Sequence, residues 1–397
     1  MHFLHLALVG MGRIIAASWL YKLLEAAWGL PSVPNLTEAK YDIEPVGSPS
    51  IVVIVPARNE EANVSACLES LLGQDYASVR IVAVDDRSDD RTGAIMDVLA
   101  GERLEVMHVV ALPAGWLGKT HAMAAAARQA ISVHAPDYLL FTDGDVVFRS
   151  DTLRRAVAQA VASEADHLVV MPTTVAKSRG EAMLLGFFQT MSLWAVRTWR
   201  VADPRAKRDA MGVGAFNLIR SDVYQRLGGF DAMPMEILED LTLGQRVKRA
   251  GLRQRVATAP GMVCVHWAAG VLGLVNGLTK NLFAVFRFRP VLLIAAAVWL
   301  AFFSFGPIAF LAVGGARVPA AITLVSIGGL FMLSGRTSRI SPAYAALYPV
   351  AAVLVLYSMA RSMAVTLRDG GVTWRGTFYP LEELRRNARG ASPGEGG

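Results

Sequence analysis

The stretch 291–314 contains no charged side chain, and it constrains the fold of this chain more than any other feature. In a helix, about 20 apolar residues suffice to cross the hydrocarbon core of a bilayer. The sequence therefore predicts a transmembrane helix here. Residues 318–335 and 343–363 are also apolar, although the second stretch contains Pro349 and Arg361, and they predict two further spans.

The first 30 residues are hydrophobic but include Arg13 and Lys22, and no small-residue cleavage site precedes the polar sequence. They predict either an uncleaved membrane anchor or an interfacial amphipathic helix. If all four segments span, the basic tail at 367–397 lies outside the cytosol, against the usual bias of basic residues. We therefore expect one segment not to span, either the first or the proline-containing last one.

Composition places a globular domain between these segments. The chain is 53% hydrophobic and 18% charged, which is too apolar for a soluble protein, yet its middle is too charged for a membrane bundle. Much of the basic sequence that gives the net charge of +6 lies beside apolar runs, which indicates membrane topology or anionic lipid rather than nucleic acid. Cys67 and Cys264 have no metal-ligand spacing, so the globular part is predicted to be cytosolic and reduced.

The middle of the chain, 48–290, is predicted to form an α/β domain. Apolar runs at 51–55, 80–84 and 138–141 alternate with helix-length segments, which is typical of a mainly parallel sheet. Ligands bind outside the carboxyl ends of the strands in such sheets, and acidic clusters follow these runs. No GxGxxG or P-loop motif follows the first strand, which argues against a dinucleotide enzyme or a P-loop ATPase.

Asp143 and Asp145 flank one glycine directly after the third apolar run. Two carboxylates so placed can approach one Mg²⁺ or Mn²⁺ ion, whose other ligands would be phosphate and water. An ordinary turn explains Asp-Gly-Asp equally well when the motif is considered alone. Its position at a strand end favours the metal site.

The acidic cluster DDRSDD at 85–90 follows the second apolar run. A carboxylate here can accept hydrogen bonds from a base or a ribose, and Asp86 is the candidate. Asp89 or Asp90 can instead cap the following helix. The segment PARNEE at 56–61 either starts a helix or lies beside a nucleoside, and we expect a mixed role.

Two more segments carry candidate functional groups. Lys119 lies in the glycine-containing loop GWLGKTHA at 115–122 and can pair with phosphate, although a loop lysine is more often solvated. Glu239 and Asp240 begin a predicted helix, where acids serve as caps. Alternatively, Asp240 accepts the proton of an attacking hydroxyl.

With these motifs in order, the segment from Ser48 to Arg289 resembles the family 2 glycosyltransferases of the GT-A fold. The motifs that carry the resemblance are PARNEE at 56–61, VDDRSDD at 84–90, GWLGKTHA at 115–122, TDGD at 142–145, GGFD at 228–231 and LEDL at 238–241.

The resemblance implies an inverting transfer from a UDP- or GDP-linked sugar, with a divalent metal as cofactor. Asp240 would be the base with Glu239 beside it, and Asp143 and Asp145 would hold the metal. The donor would contact Pro56, Arg58, Glu60, Asp86, Lys119 and Asp143, and the acceptor would lie near Gly229, Phe230 and Asp231. Gly228 and Gly229 would permit a tight turn.

The motif Gln-x-x-Arg-Trp of processive relatives is missing after the acidic pair, which argues against polymer synthesis. Within the family, the chain is most similar to the bacterial hopene-associated glycosyltransferases, which implies a protein of the bacterial inner membrane and a hopanoid or other polyisoprenoid acceptor. An apolar collar from Leu184 to Trp199 agrees with a lipid acceptor, but an interfacial helix explains it too. Ceramide, carotenoid and diacylglycerol glycosyltransferases share this arrangement. A non-catalytic nucleotide-sugar-binding membrane protein and a nucleotidyltransferase are the alternatives from other classes.

Overall fold

The structure, a computed structural model, describes residues 2–390, so 391–397 of the predicted tail lie outside the described residues. Its strands are β1 (Ile51–Ala57), β2 (Val79–Asp86), β3 (Leu104–Val109), β4 (Tyr138–Phe141), β5 (Val146–Phe148), β6 (His167–Met171), β7 (Thr173–Thr174), β8 (Asn217–Arg220), β9 (Gln254–Thr258), β10 (Val263–Val265), β11 (Gly371–Trp374) and β12 (Thr377–Pro380). Its helices are α1 (His2–Gly29), α2 (Val64–Leu72), α3 (Thr92–Leu99), α4 (Gly118–His134), α5 (Thr152–Ala162), α6 (Arg179–Ala195), α7 (Ser221–Arg226), α8 (Glu239–Arg249), α9 (Gly270–Val285), α10 (Pro290–Phe310), α11 (Arg317–Ser338), α12 (Tyr348–Asp369) and α13 (Leu381–Gly390).

These elements form two compact units. The α/β unit comprises residues 33–175 and 199–266 together with the C-terminal segment from residue 371 onward. The helical unit comprises residues up to 32, 176–198 and 267–370. The predicted domain at 48–290 therefore differs from the α/β unit in three ways: the unit begins earlier, lacks the segments around α6 and α9, and includes the C-terminal residues.

A seven-stranded mixed sheet organises the α/β unit, in the order β3-β2-β1-β4-β8-β6-β9. Neighbours from β3 to β4 run parallel, as do β6 and β9, whereas β8 is antiparallel to both β4 and β6. Helices flank this sheet, and apolar helices occur at the N-terminus and towards the C-terminus. The predicted fold class is confirmed.

The central strands are uniformly apolar because both faces of the sheet are covered. Every residue of β1 and β4 is buried. Val53 and Val55 of β1 contribute to one core, and Val52 and Ile54 contribute to the core on the other face. Full burial of both faces explains why β1 shows a continuous apolar run and not an alternating pattern. The parallel arrangement brings the carboxyl ends of β1, β2 and β4 to one edge.

The remaining strands form two smaller sheets. One is three-stranded, in the order β5-β10-β7, and lies next in sequence to the acidic residues that follow β4. The other is the antiparallel hairpin of β11 and β12, in which Gly371 pairs with Pro380 and Trp374 pairs with Thr377. This hairpin belongs to the α/β unit, although the whole of 267–370 separates it from the rest of that unit in sequence.

The helical unit contains four helices that are long and apolar enough to cross a membrane, within residues 2–32, 290–310, 317–338 and 342–369. One charged residue in each of the two weaker predicted spans has a partner. The Nζ atom of Lys22 lies 2.7 Å from the Glu25 carboxylate, and Arg361 donates to the Thr279 hydroxyl at 2.7 Å. Polar groups within apolar helices are tolerated when they are paired in this way.

Candidate active site

Lys119 joins two of the acidic motifs. Its Nζ atom lies 2.5 Å from Oδ1 of Asp143 and 2.6 Å from Oε1 of Glu239. Although burial acts to lower it, the carboxylates of Asp143, Glu239 and Asp240 raise the pKa of Lys119 well above its ordinary value. The amine is therefore a permanent cation, and it is paired with carboxylates in this structure and not solvated.

Three elements converge to make this contact. Lys119 is the second residue of α4, Asp143 follows the end of β4, and Glu239 is the first residue of α8. The loop before β8 completes the arrangement at Gly214, where an added Cβ atom would lie 2.5 Å from Oδ2 of Asp143. Any side chain there would collide with the carboxylate, so the close approach requires glycine. A small cleft results, lined by Lys119, Asp143, Phe230, Glu239 and Asp240 among others.

Asp240 occupies the same cleft, in the first turn of α8. Its Oδ1 atom accepts a hydrogen bond from the amide of Leu241 at 2.6 Å. Burial and then the charge of Glu239 raise the pKa of the Asp240 carboxyl above its ordinary value. A carboxylate with a raised pKa is the stronger proton acceptor, as the role of a general base requires. Glu239 is buried beside it and is neutralised by Lys119.

Asp145 supplies the second carboxylate of the predicted metal pair. Burial, and then the charges of Asp143 and Glu60, raise the pKa of Asp145 to about 7. The excess of carboxylates around Asp145 fits a site for a divalent cation. Within residues 2–390, however, no group of three or more His, Cys, Asp or Glu side chains is arranged to hold a metal. The pair therefore suits an ion that takes its other ligands from phosphate and water, as Mg²⁺ usually does.

Asp86, at the end of β2, forms a bidentate ion pair with the next residue. The guanidinium of Arg87 reaches Oδ1 at 2.8 Å and Oδ2 at 3.1 Å. The neighbouring Asp90 accepts from both the amide and the hydroxyl of Thr92, the first residue of α3. Asp90 therefore has the predicted helix-start role, whereas Asp86 is buried at the strand edge with Arg87 as its partner.

The donor residues predicted near β1 contact the C-terminal hairpin. Pro56 lies within the strand, opposite Val84 of β2. Arg58 donates to the hydroxyl of Thr377 at 3.1 Å, and the Glu60 carboxylate pairs with Arg375. The structure thus adds a partner that the sequence did not predict to this edge of the sheet.

The predicted acceptor residues form a turn beside the cleft. Gly228 and Gly229 have φ angles of 75° and 50°, which agrees with the predicted tight turn. Phe230 packs edge-on against Phe141 of β4, with ring centroids 4.9 Å apart, and lines the cleft. Asp231 is half-exposed and forms an ion pair with Arg128 of α4.

Sequence reasoning missed Arg87, Gly214, Arg375 and Tyr379 as parts of this edge. A local signal existed for Gly214, because Gly212 and Gly214 immediately precede an apolar strand. Arg375 and Tyr379 gave no such signal, since a basic segment after the last span is typical of a membrane flank.

Comparison with known proteins agrees with this geometry. Residues 52–228 match the family model described as glycosyl transferase family 2. The chain carries a glycosyltransferase family 2 domain. The match covers the carboxyl ends of β1, β2 and β4, which we call the donor edge. It also covers the Asp143 and Asp145 pair and the start of the Gly228 turn, while Glu239 and Asp240 lie just beyond it.

The similarity to curated proteins extends beyond this domain. The 4,4'-diaponeurosporenoate glycosyltransferase of Staphylococcus aureus strain bovine RF122 / ET3-1 is 24% identical over 84% of this chain and 89% of its own length. The enzyme of the same name from Staphylococcus haemolyticus strain JCSC1435 is 27% identical over 59% of this chain and 61% of its own.

A solved structure supports the fold assignment. The mannosyltransferase of Pyrobaculum calidifontis, determined in complex with GDP-Man and Mn²⁺, is 18% identical with a TM-score of 0.51, and the match covers 91% of this chain and 99% of that one. The likeness confirms the GT-A fold that the motif resemblance implied.

Proposed function

We propose that this protein transfers a sugar from a nucleotide-sugar donor to a lipid acceptor, with inversion, in the cleft around Lys119. The observation that carries the proposal is the double ion pair of Lys119 with Asp143 and Glu239. It brings Asp143 of the candidate metal pair and Glu239, the neighbour of the candidate base Asp240, within one side chain's reach, as a single displacement requires.

In the proposed mechanism, Asp86 with Arg87 holds the nucleoside, and Asp143 and Asp145 lie at the diphosphate. These two carboxylates would hold a divalent cation, which would supply Lewis-acid neutralisation of the departing diphosphate. Lys119 keeps Asp143 and Glu239 in fixed positions before substrate binds. Such preorganised charge is usually the largest contribution to catalysis.

Asp240 is the proposed general base. It removes the proton of an acceptor hydroxyl as that oxygen attacks the anomeric carbon, and its raised pKa suits this role. Attack from the face opposite the departing nucleoside diphosphate inverts the anomeric centre. Phe230, which lines the cleft, is the proposed contact for the acceptor.

The proposed acceptor is a polyisoprenoid lipid, either a hopanoid or a carotenoid. Two observations support a lipid: the four apolar helices long enough to span a membrane, and relatives whose names give a carotenoid acid as substrate. We place the protein in the bacterial inner membrane with its α/β unit in the cytosol, where nucleotide sugars are made.

The test is release of UDP or GDP from a panel of nucleotide sugars by purified, detergent-solubilised protein, with and without bacterial lipid extract. We expect metal-dependent release that the extract stimulates, with labelled sugar recovered in the lipid fraction. Nucleotide-sugar binding without any release would contradict the proposal and favour a non-catalytic binding protein.

Asp240 also distinguishes the two acceptor classes. A hydroxyl acceptor must lose a proton, so Asp240→Asn should abolish transfer to it. A carotenoid carboxylate is already ionised near neutral pH and needs no base. If Asp240→Asn retains transfer to a carboxylate lipid but loses transfer to a hydroxyl lipid, the base role is supported for the hydroxyl class alone.

A further inference from the structure

The chain returns to the donor edge of the α/β unit after its last apolar helix. Residues 371–380 form the hairpin of β11 and β12, and α13 follows it. A basic tail on a membrane protein is ordinarily a solvated flank. Here, side chains of the hairpin bind residues that follow β1 and a residue at the start of α4.

One anchor of the hairpin is at the end of β1. The guanidinium of Arg375 donates to the backbone carbonyl of Arg58 and to the carboxylate of Glu60. Thr377 accepts a hydrogen bond from Arg58 at 3.1 Å. The turn that holds Asp143 and Asp145 lies against the end of β1, since a Cβ atom added to Gly144 would lie 3.0 Å from the Cβ atom of Ala57. This anchor therefore lies at the metal end of the site.

The second anchor is at the start of α4. The hydroxyl of Tyr379 accepts a hydrogen bond from the amide of Gly118 at 3.2 Å, and the Tyr379 side chain is buried. A Cβ atom added to Gly118 would lie 2.2 Å from Oδ2 of Asp86 and 2.7 Å from Nη2 of Arg87. This anchor therefore touches the ion pair at the proposed nucleoside end.

Charge and hydrogen bonding make the hairpin suitable for ligand binding. The Arg375 side chain is 40% exposed, and its described contacts use two of its five N–H groups. A guanidinium in this state can bind a phosphate oxygen without releasing its first partners. On the neighbouring Arg58, the Nε atom is buried and has no hydrogen-bond partner among residues 2–390.

We propose that the C-terminal hairpin is a wall of the donor-binding site, in which Arg375 binds the diphosphate of the nucleotide and Tyr379 positions the Asp86–Arg87 pair. The inference rests on the proposed function, because it presumes a nucleoside diphosphate donor. It adds two binding roles in a segment outside the matched family 2 region, residues 52–228.

The experiment measures binding of UDP, GDP and their nucleosides to the full-length, detergent-solubilised protein with Mn²⁺. Arg375→Gln should raise the Kd of the preferred nucleoside diphosphate about 10-fold or more, the loss expected for a charge-assisted hydrogen bond, and should leave nucleoside binding within about 2-fold. Tyr379→Phe should weaken nucleoside and nucleoside diphosphate equally, because it acts on the Asp86–Arg87 end.

Two controls separate binding from folding. Arg386→Gln removes the same charge from an exposed position of α13 and should bind like the wild type. Arg375→Lys keeps the charge and should recover part of the diphosphate affinity, which a purely structural role would not predict. Unchanged thermal midpoints for Arg375→Gln and Tyr379→Phe show that the fold is intact.

The outcomes separate the two claims. If the wild type binds neither UDP nor GDP in the presence of Mn²⁺, the proposed donor fails and the hairpin inference fails with it. If the wild type binds one of them and Arg375→Gln binds it equally well, the hairpin inference is overturned and the proposed function stands. Equal weakening of nucleoside and diphosphate by Arg375→Gln also overturns the phosphate role.

Discussion

The two ends of the donor edge differ in how their carboxylates are neutralised. At the nucleoside end, Asp86 is neutralised by its own arginine, Arg87. Glu60, which follows β1, likewise pairs with Arg375. Around Lys119, the acids outnumber the cations. Lys119 is the cation placed there against Asp143, Asp145, Glu239 and Asp240.

The comparison separates binding from chemistry. A charge-balanced end suits a neutral base and ribose, which need hydrogen-bonding partners and no net charge. An acid-rich end holds carboxyl groups whose pKa values are raised, as Asp145 and Asp240 show. Carboxyl groups in this state can bind a metal or accept a proton, which is why perturbed pKa values cluster at active sites.

The largest expected effect is at Asp240. Asp240→Asn removes the proposed base while leaving the charge balance at the nucleoside end untouched, so kcat for a hydroxyl acceptor should fall by about 10²- to 10⁴-fold. Steady-state assays of sugar transfer measure it. The matched control is Asp222→Asn, an exposed acid at the start of α7 that pairs with Arg220 and Arg226. Equal losses in both variants would contradict the contrast.

Local sequence patterns name the acids at this end, because each acid follows an apolar run or begins a helix. Asp143, Glu239 and Asp240 could all be named from local patterns. Their connection through Lys119 could not be predicted, since the ion pairs join α4 to residues that follow β4 and begin α8. Such non-local contacts depend on the sheet order, and the antiparallel insertion of β8 between β4 and β6 left no local signal.

The residues at the ends of β1 and β2 were predicted less completely. Asp86 and Glu60 were named, but their arginine partners were not. Arg87 lies within the acidic cluster, where it appeared as one charge among many. Arg375 follows the last apolar helix, where composition favours a membrane flank, and 315 residues separate it from Glu60. Hydrophobic periodicity cannot predict a contact across such a separation.

Loss of the Lys119 amine should lower stability as well as activity. Lys119→Met leaves Asp143 and Glu239 without a partner in a largely buried cleft. We expect a destabilisation of about 2 kcal/mol, between the values for surface and buried pairs, or a thermal midpoint lowered by about 5 °C. Thermal unfolding of the solubilised protein checks it. Lys119→Arg should lose less, and an unchanged midpoint in Lys119→Met would argue against the bridging role.

A smaller effect is expected on pH. The raised pKa of Asp145, about 7, keeps this carboxyl protonated at lower pH, so a cation must displace the proton to bind. Mn²⁺ affinity should rise about 5-fold from pH 6 to pH 7, reach about 10-fold at pH 8, and level off above that pH. Without metal, stability changes with pH in the opposite direction to Mn²⁺ affinity. Because its pKa is raised, the contribution of Asp145 to the free energy of unfolding falls as pH rises through 7. Calorimetric titrations of Mn²⁺ at several pH values test the affinity, and thermal unfolding without metal at the same pH values tests the stability. Asp145→Asn is the pH-insensitive control for both measurements.

The side of the membrane on which the C-terminus lies follows from the placement of the hairpin. Since 33–175 and the hairpin belong to one unit, an even number of crossings must occur within the intervening residues 267–370. Three of the four candidate spans lie within residues 267–370, and three is an odd number. These three helices therefore do not all cross the membrane unless α9 crosses it too. The first helix, one of the two segments expected from sequence to be non-spanning, precedes the unit and does not affect this count.

A fluorescent reporter fused after residue 397 should therefore report the same side of the membrane as one inserted between residues 47 and 48. Green fluorescent protein at each position reports a cytosolic location by its fluorescence. Alkaline phosphatase at the same positions reports a location outside the cytosol by its activity. Opposite sides for the two positions would contradict placement of the hairpin at the donor edge.

The most direct test of the account is calorimetric titration of the preferred nucleoside diphosphate in Mn²⁺ and in EDTA, for the wild type and for Asp145→Asn. We expect tight binding by the wild type in Mn²⁺, at least about 10-fold weaker binding in EDTA, and no metal dependence in Asp145→Asn. Equal affinity of the wild type in Mn²⁺ and EDTA would contradict the assignment of the acid-rich end to the metal and the diphosphate.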